Sequence, residues 1–111
     1  MLSNGTNSWD GVEYETYPSG TPQLTVLKIT IPPNKSLDVH THPMPNVAYV
    51  EEGSLTVKKQ ANGEIHTINK GDVLREMVNE PHYGYTNEKG VVLICFYAGT
   101  PGLPLSIPVK E

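Results

Sequence analysis

One cysteine, Cys95, stands in a chain of 111 residues, so no disulfide can form within it. Cys95 falls inside the apolar run Val91–Tyr97 and reads as a small core residue. A nucleophilic role would require a base beside it, which the sequence does not show. Long apolar runs are missing as well. None approaches the roughly 20 residues of a membrane-spanning helix, and Met1 to Gly11 lack the apolar centre of a secretory leader. The expected location is the cytoplasm, or the periplasm or exterior if a leader has been trimmed. Positive charge is scarce: eight Lys and Arg stand against twelve Asp and Glu, a net charge of -4. Without a basic run, neither a nucleic-acid backbone nor an anionic bilayer finds an electrostatic partner. Helical periodicity is absent too, and no internal repeat or low-complexity block occurs.

What the chain does have is punctuation. Ten Gly and ten Pro cut it into short β-rich runs. Gln23 to Ile31 alternates as a strand, with Thr25, Leu27, Ile29 and Ile31 on one face. Further strands are expected over Leu37–His42, Val47–Val50, Ser54–Lys59, Ile65–Ile68, Val73–Val78, His82–Thr86 and Val91–Tyr97. An edge strand is expected around Leu105–Val109. Glu52-Gly53 reads as a turn, and Asn62-Gly63 centres a hairpin. Eight to ten short strands and almost no helix argue for an all-β sandwich or barrel. One domain is expected over residues 1–111, with a loosely held arm (1–15), a barrel (20–98) and a tail or edge strand (99–111).

The stretch HTHPMPN, residues 40–46, sets two histidines at i and i+2, which in a strand share one face. Such a pair suits a borderline metal such as Zn, Fe, Ni or Cu. Alone, it fits an exposed strand equally well. Spacing downstream sharpens the picture: Gly53 follows Asn46 by seven residues, Gly71-Asp72 opens a new strand, and His82 lies eleven beyond Gly71. In these positions the chain resembles the cupin superfamily, whose motifs read G-x5-H-x-H-x3-4-E-x6-G and G-x5-P-x-G-x2-H-x3-N. The first falls on Asn34, His40, His42, Asn46 and Gly53. The second falls on Gly71, Met77, Asn79 and His82, with Asn87 one residue beyond its usual place.

That resemblance implies a jelly-roll barrel, or double-stranded β-helix, with a divalent metal held by His40, His42 and His82. The chain departs from the pattern in ways that matter. Asn34 and Asn79 replace glycines, and asparagine is the next most tolerated residue where the backbone needs positive φ. Met77 replaces a turn proline. Asn46 stands where the family has an acidic ligand, so the implied site is neutral and suits Mn²⁺ less well than Zn²⁺, Fe²⁺, Ni²⁺ or Cu²⁺. Glu76 is a candidate to compensate, as a fourth ligand or as a catalytic acid/base. Strict alternation with Arg75 in water sends Glu76 inward, whereas a bulge near Asn79 would turn it out. The chain is also similar to small single-domain cupins that share H-P-x-P-N-x-x-Y-V, E-x-V-N and F-Y-A-G-x-x-G-x-P-L. These fall on His42–Val50, Glu76–Asn79 and Phe96–Leu105. The likeness implies that Asn46 and Glu76 belong to a subtype.

Tyr49, Tyr83, Tyr85 and Tyr97 are candidates to line a substrate pocket, with Tyr83 and Tyr85 favoured because they follow His82; each is also readable as a core or interface residue. His66 reads as an exposed histidine. Trp9 reads as an anchor for the arm, against the barrel or a partner subunit. Three functions stay open: a metal-dependent enzyme, dioxygenase- or isomerase-like, on a small polar molecule; a non-catalytic module binding a small ligand or metal; or a structural barrel. A homodimer is expected, because open sheet edges need cover.

Overall fold

The computed structural model describes residues 1–110. Eight strands form the chain: β1 (Gln23–Ile31), β2 (His40–Thr41), β3 (Asn46–Lys59), β4 (Ile65–Asn69), β5 (Val73–Arg75), β6 (His82–Tyr85), β7 (Val91–Gly99) and β8 (Ile107–Pro108). No helix occurs among the described residues. The strands pair antiparallel throughout. One sheet runs β1–β7–β3–β5 and the other β4–β3–β6–β2–β8, with β3 common to both. This is an all-β jelly roll.

The alternation read from Gln23–Ile31 is realised in β1. It pairs along its whole length with β7, from Gln23 opposite Gly99 to Ile31 opposite Val91. Thr25, Leu27, Ile29 and Ile31 are the better covered side chains. β7 alternates likewise, with Val91, Leu93, Cys95 and Tyr97 buried. Together with Val50 and Ile68 they form the core between the sheets.

The longest strand corrects the sequence reading. Two strands parted by a turn at Glu52-Gly53 were expected; β3 instead runs 14 residues without a break in pairing direction, with a bulge between Val50 and Glu52. Gly53 makes this possible. Its φ is 81°, and a Cβ there would lie 2.1 Å from the Gly90 carbonyl oxygen. Without that side chain β3 passes against the turn before β7 and crosses from one sheet to the other.

Two other strands are shorter than expected. Of Leu37–His42 only His40–Thr41 is ladder, although the Leu37 N–H still reaches the Gly84 carbonyl (2.9 Å) and Ser36 bridges Tyr85. β5 ends at Arg75. Beyond it Glu76 N–H bonds to Asn46 O (3.0 Å) and Asn79 N–H to His42 O (2.8 Å), which folds this segment onto the HTHPMPN loop. Among the described non-glycine residues only Asn34 (φ 55°) and Asn79 (φ 58°) are left-handed, at the two positions where they replace family glycines.

The amino-terminal arm is not loosely held. Asn7 bridges Glu13, Trp9 N–H bonds to Arg75 O (2.9 Å), and Lys59 Nζ lies 3.0 Å from Asp10 Oδ2. Arg75 does point away from the core, but water does not surround it: its guanidinium donates to Asn7 O (2.7 Å) and Ser3 Oγ (2.9 Å). The arm supplies acceptors that the outer face of β5 otherwise lacks.

Candidate metal centre

The topology assembles the two motifs. β2 pairs with β6 so that His40 lies directly opposite His82, and His42 follows one residue past β2. The ring centroids are 4.5 Å apart for His40–His82, 4.8 Å for His40–His42 and 5.1 Å for His42–His82. Their ligand atoms all lie within 4.8 Å of one another, so His40, His42 and His82 could hold a metal ion.

The hydrogen bonds test that fit. Nδ1 of His40 bonds to Asp38 O (2.9 Å), Nδ1 of His42 to Leu105 O (2.8 Å) and Nδ1 of His82 to Glu80 O (2.7 Å). A backbone carbonyl only accepts, so each Nδ1 carries the proton and donates. A ring so held has, when neutral, an unprotonated Nε2 as its free nitrogen. His82 Nε2 is buried and has no hydrogen-bond partner. Three rings anchored alike through Nδ1, with the buried Nε2 of His82 unsatisfied, are a donor set that suits a borderline cation.

Glu76 turns inward. It is 7% exposed, and its Oε2 sits 3.3 Å from His82 Nε2, within ion-pair range but not aligned as a hydrogen bond. Its Oε1 accepts from Met77 N–H (3.1 Å) and Trp9 Nε1–H (3.3 Å). Burial alone would push Glu76 up and His82 down. The attraction between the carboxylate and the protonated ring overrides it, so Glu76 is lowered and His82 raised, and a bound cation would take the place of that proton on Nε2. Burial lowers His40 and His42, which keeps both rings neutral.

Asn46 is buried and donates through Nδ2 to Met44 O (3.2 Å), leaving Oδ1 as its acceptor. Asn46, Glu76 and the three histidines line a cavity of about 100 Å³ inside the barrel. The rest of its wall is largely apolar, with Leu55, Leu74 and Leu93 contributing.

Tyrosine placement differs from the favoured reading. β6 alternates, with His82 and Gly84 buried, so Tyr83 and Tyr85 project the other way and pack ring to ring at 6.1 Å. Tyr49 lies between buried Ala48 and Val50 and also faces away from the cavity. The phenol on the cavity wall is Tyr97, beside Cys95. Burial pushes Cys95 up to about 11 and raises Tyr97 as well, so both stay protonated at neutral pH. His66 is exposed and stacks on Trp9 at 5.5 Å. What sequence reasoning missed is the reach of the arm to Glu76. Trp9 and Tyr14 touch it across 67 and 62 residues of chain, and no local pattern signals such a contact.

Residues 27–97 match the Cupin domain family, well over half the chain, and the protein belongs to that family. Solved structures with the same fold include the DMSP lyase DddQ from Ruegeria pomeroyi (15% identity, TM-score 0.67), aligned over 79% of this chain and 45% of that one. The polyketide cyclase RemF from Streptomyces resistomycificus aligns over 83% of this chain and 64% of its own (20% identity, TM-score 0.68). Oxalate decarboxylase from Bacillus subtilis aligns over 79% of this chain and 24% of its own (18% identity, TM-score 0.69). The chain thus spans less than two thirds of each of these proteins, and at such identities the likeness concerns the fold. No curated protein sequence matches the chain.

Proposed function

We propose that the protein is a divalent-metal-dependent enzyme, dioxygenase- or isomerase-like, acting on a small polar molecule within the barrel. The observation that carries this reading is the common anchoring of His40, His42 and His82, each with Nδ1–H committed to a backbone carbonyl. The fitting ions are Fe²⁺, Zn²⁺, Ni²⁺ and Cu²⁺, with Mn²⁺ less well served by neutral donors. When bound, such an ion supplies a Lewis acid or an oxygen-activating centre. Glu76 brings the one negative charge among the polar groups of the cavity, and its Oε2 is placed to take or return a proton beside His82. Asn46 offers a neutral oxygen as ligand or as anchor for a substrate group. The apolar remainder of the wall excludes water and strengthens each of these interactions.

The relatives of like fold are named for three different reactions, so none of those reactions is carried over. A non-catalytic module that binds a small ligand or metal is the second reading. The cavity of about 100 Å³, well below the ~300 Å³ at which ordinary ligand pockets begin, favours the metal-binding form of that module.

Metal analysis by inductively coupled plasma mass spectrometry, on protein purified without an affinity tag, separates these. Near-stoichiometric metal in the wild type, lost in His82→Ala, is the expected result. Iron would direct the next step to oxygen consumption. Metal without turnover of any small acid or carbonyl compound would favour the binding module. No metal after reconstitution would sink both metal-dependent forms.

A further inference from the structure

The two oxygens of Glu76 are used differently. Oε1 is occupied by two donors, Met77 N–H and the indole N–H of Trp9. Oε2 has no such donor and faces His82. The same residue is gripped at its backbone, where Tyr14 Oη donates to the Glu76 carbonyl at 2.7 Å. Trp9 is itself fixed by its stack on His66, nearly parallel at 10°. The arm that carries Trp9 and Tyr14 is tied to the barrel through Arg75 and through the Lys59–Asp10 pair. An arm used only as packing would have no need to place a donor on a buried carboxylate that lines the cavity.

We propose that the amino-terminal arm is a working part of the metal centre, in which Trp9 and Tyr14 act as positioning residues that withhold one oxygen of Glu76 and present the other to the histidines. The inference rests on the metal reading given above. The end torsion of a glutamate is soft, so a carboxylate held at Oε1 by the Met77 N–H alone can rotate about that one bond. It can then offer both oxygens or swing away, and either change alters the donor set. Arm docking and cation affinity are on this view reciprocally linked, each strengthening the other through one side chain.

The test uses Co²⁺ added to the full chain, followed by absorption and by competition with a chelator. Trp9→Phe removes one of the two Oε1 donors and keeps a ring to stack on His66. It is expected to lower Co²⁺ affinity roughly 10- to 100-fold, the usual effect of losing a group that orients a ligand, and to change the Co²⁺ absorption bands. Tyr14→Phe should move both readouts in the same direction, and it serves if Trp9→Phe does not fold. In an Glu76→Ala background, Trp9→Phe should have no further effect on affinity. A wild-type affinity and spectrum in Trp9→Phe, or an equal loss with and without Glu76, would overturn the proposal. Absence of any Co²⁺ spectrum in the wild type would instead defeat the metal reading itself, a result distinguishable from a spectrum indifferent to Trp9.

Discussion

Asparagine at positive φ carries two of the turns that shape the site. Asn79 sits at φ 58°, three residues before His82, and its N–H bonds to the carbonyl of His42. It thereby holds the segment bearing Glu76 against the loop bearing the first two histidines. Asn79→Gly should be nearly neutral, because glycine adopts this conformation freely, whereas Asn79→Ala should cost about 1–2 kcal/mol. Paired urea melts of the two variants check this; equal destabilisation would show that the side chain matters more than the backbone angle. At this scale the candidate site was largely legible. His40, His42 and His82 were picked out by the resemblance to the cupin motifs, and so were Asn34 and Asn79, where asparagine stands in for the motif's glycines. The tyrosines were not. Adjacency to His82 drew attention to Tyr83 and Tyr85, but period-two geometry turns the nearest neighbour of an inward residue outward. Tyr97 lies on a different strand and reaches the cavity because it shares a face with Leu93 and Cys95.

Elements are held by what crosses between them. The arm's ion pair is an example, since the Asp10 side chain is 2% exposed and faces Lys59 at 3.0 Å. Burial would raise Asp10, but the Ser8 hydroxyl and the Lys59 ammonium outweigh it and hold the carboxyl below its ordinary value of 3.8. A carboxyl lowered by folding contributes stability above its unfolded pKa, and that contribution disappears as pH falls through the lower folded value. Wild type should therefore melt above Asp10→Asn at pH 6, with the difference in Tm closing below about pH 4. Thermal melts across pH 6 to 2.5 measure it, and parallel curves would mean that the pair does not stabilise the arm. The bulged strand β3 shows why some boundaries escaped the sequence reading. Glu52-Gly53 has the composition of a turn, but a glycine at positive φ inside a ladder gives a bulge when strands flank it on both sides. Which of the two forms depends on partners distant in sequence: here Val92 and Val91 of β7 stand opposite Glu52 and Gly53.

The whole molecule leaves part of one sheet face exposed, beyond the reach of the arm. On the outer side of β1 and β7, Leu24 is 68%, Val26 64% and Phe96 37% exposed, and Val26 stands directly opposite Phe96. Among the described residues β1 is also an edge, paired only with β7. An apolar face beside an open edge is the feature that a second copy of the chain would cover, which is the homodimer expected from the sequence. Light scattering coupled to gel filtration should give about twice the 12.2 kDa of one chain, and Val26→Asp should return it to the single mass. A wild-type mass of one chain would rule the dimer out at that concentration.

The sequence by itself determined the class of fold, the position of β1 and β7, the left-handed asparagines and the three histidines. The fold class and the strands follow from side-chain alternation, a short-range rule, whereas the histidine set and the two asparagines follow from the resemblance to the cupin motifs, with the steric limits on φ explaining why asparagine can stand there. Only the tertiary structure decided that His40 stands across from His82, that Glu76 faces inward, and that Trp9 and Tyr14 grip it from an arm more than 60 residues away. Such contacts arise when sheets close on one another, and closure is governed by the packing of the entire core, which no local window of sequence contains.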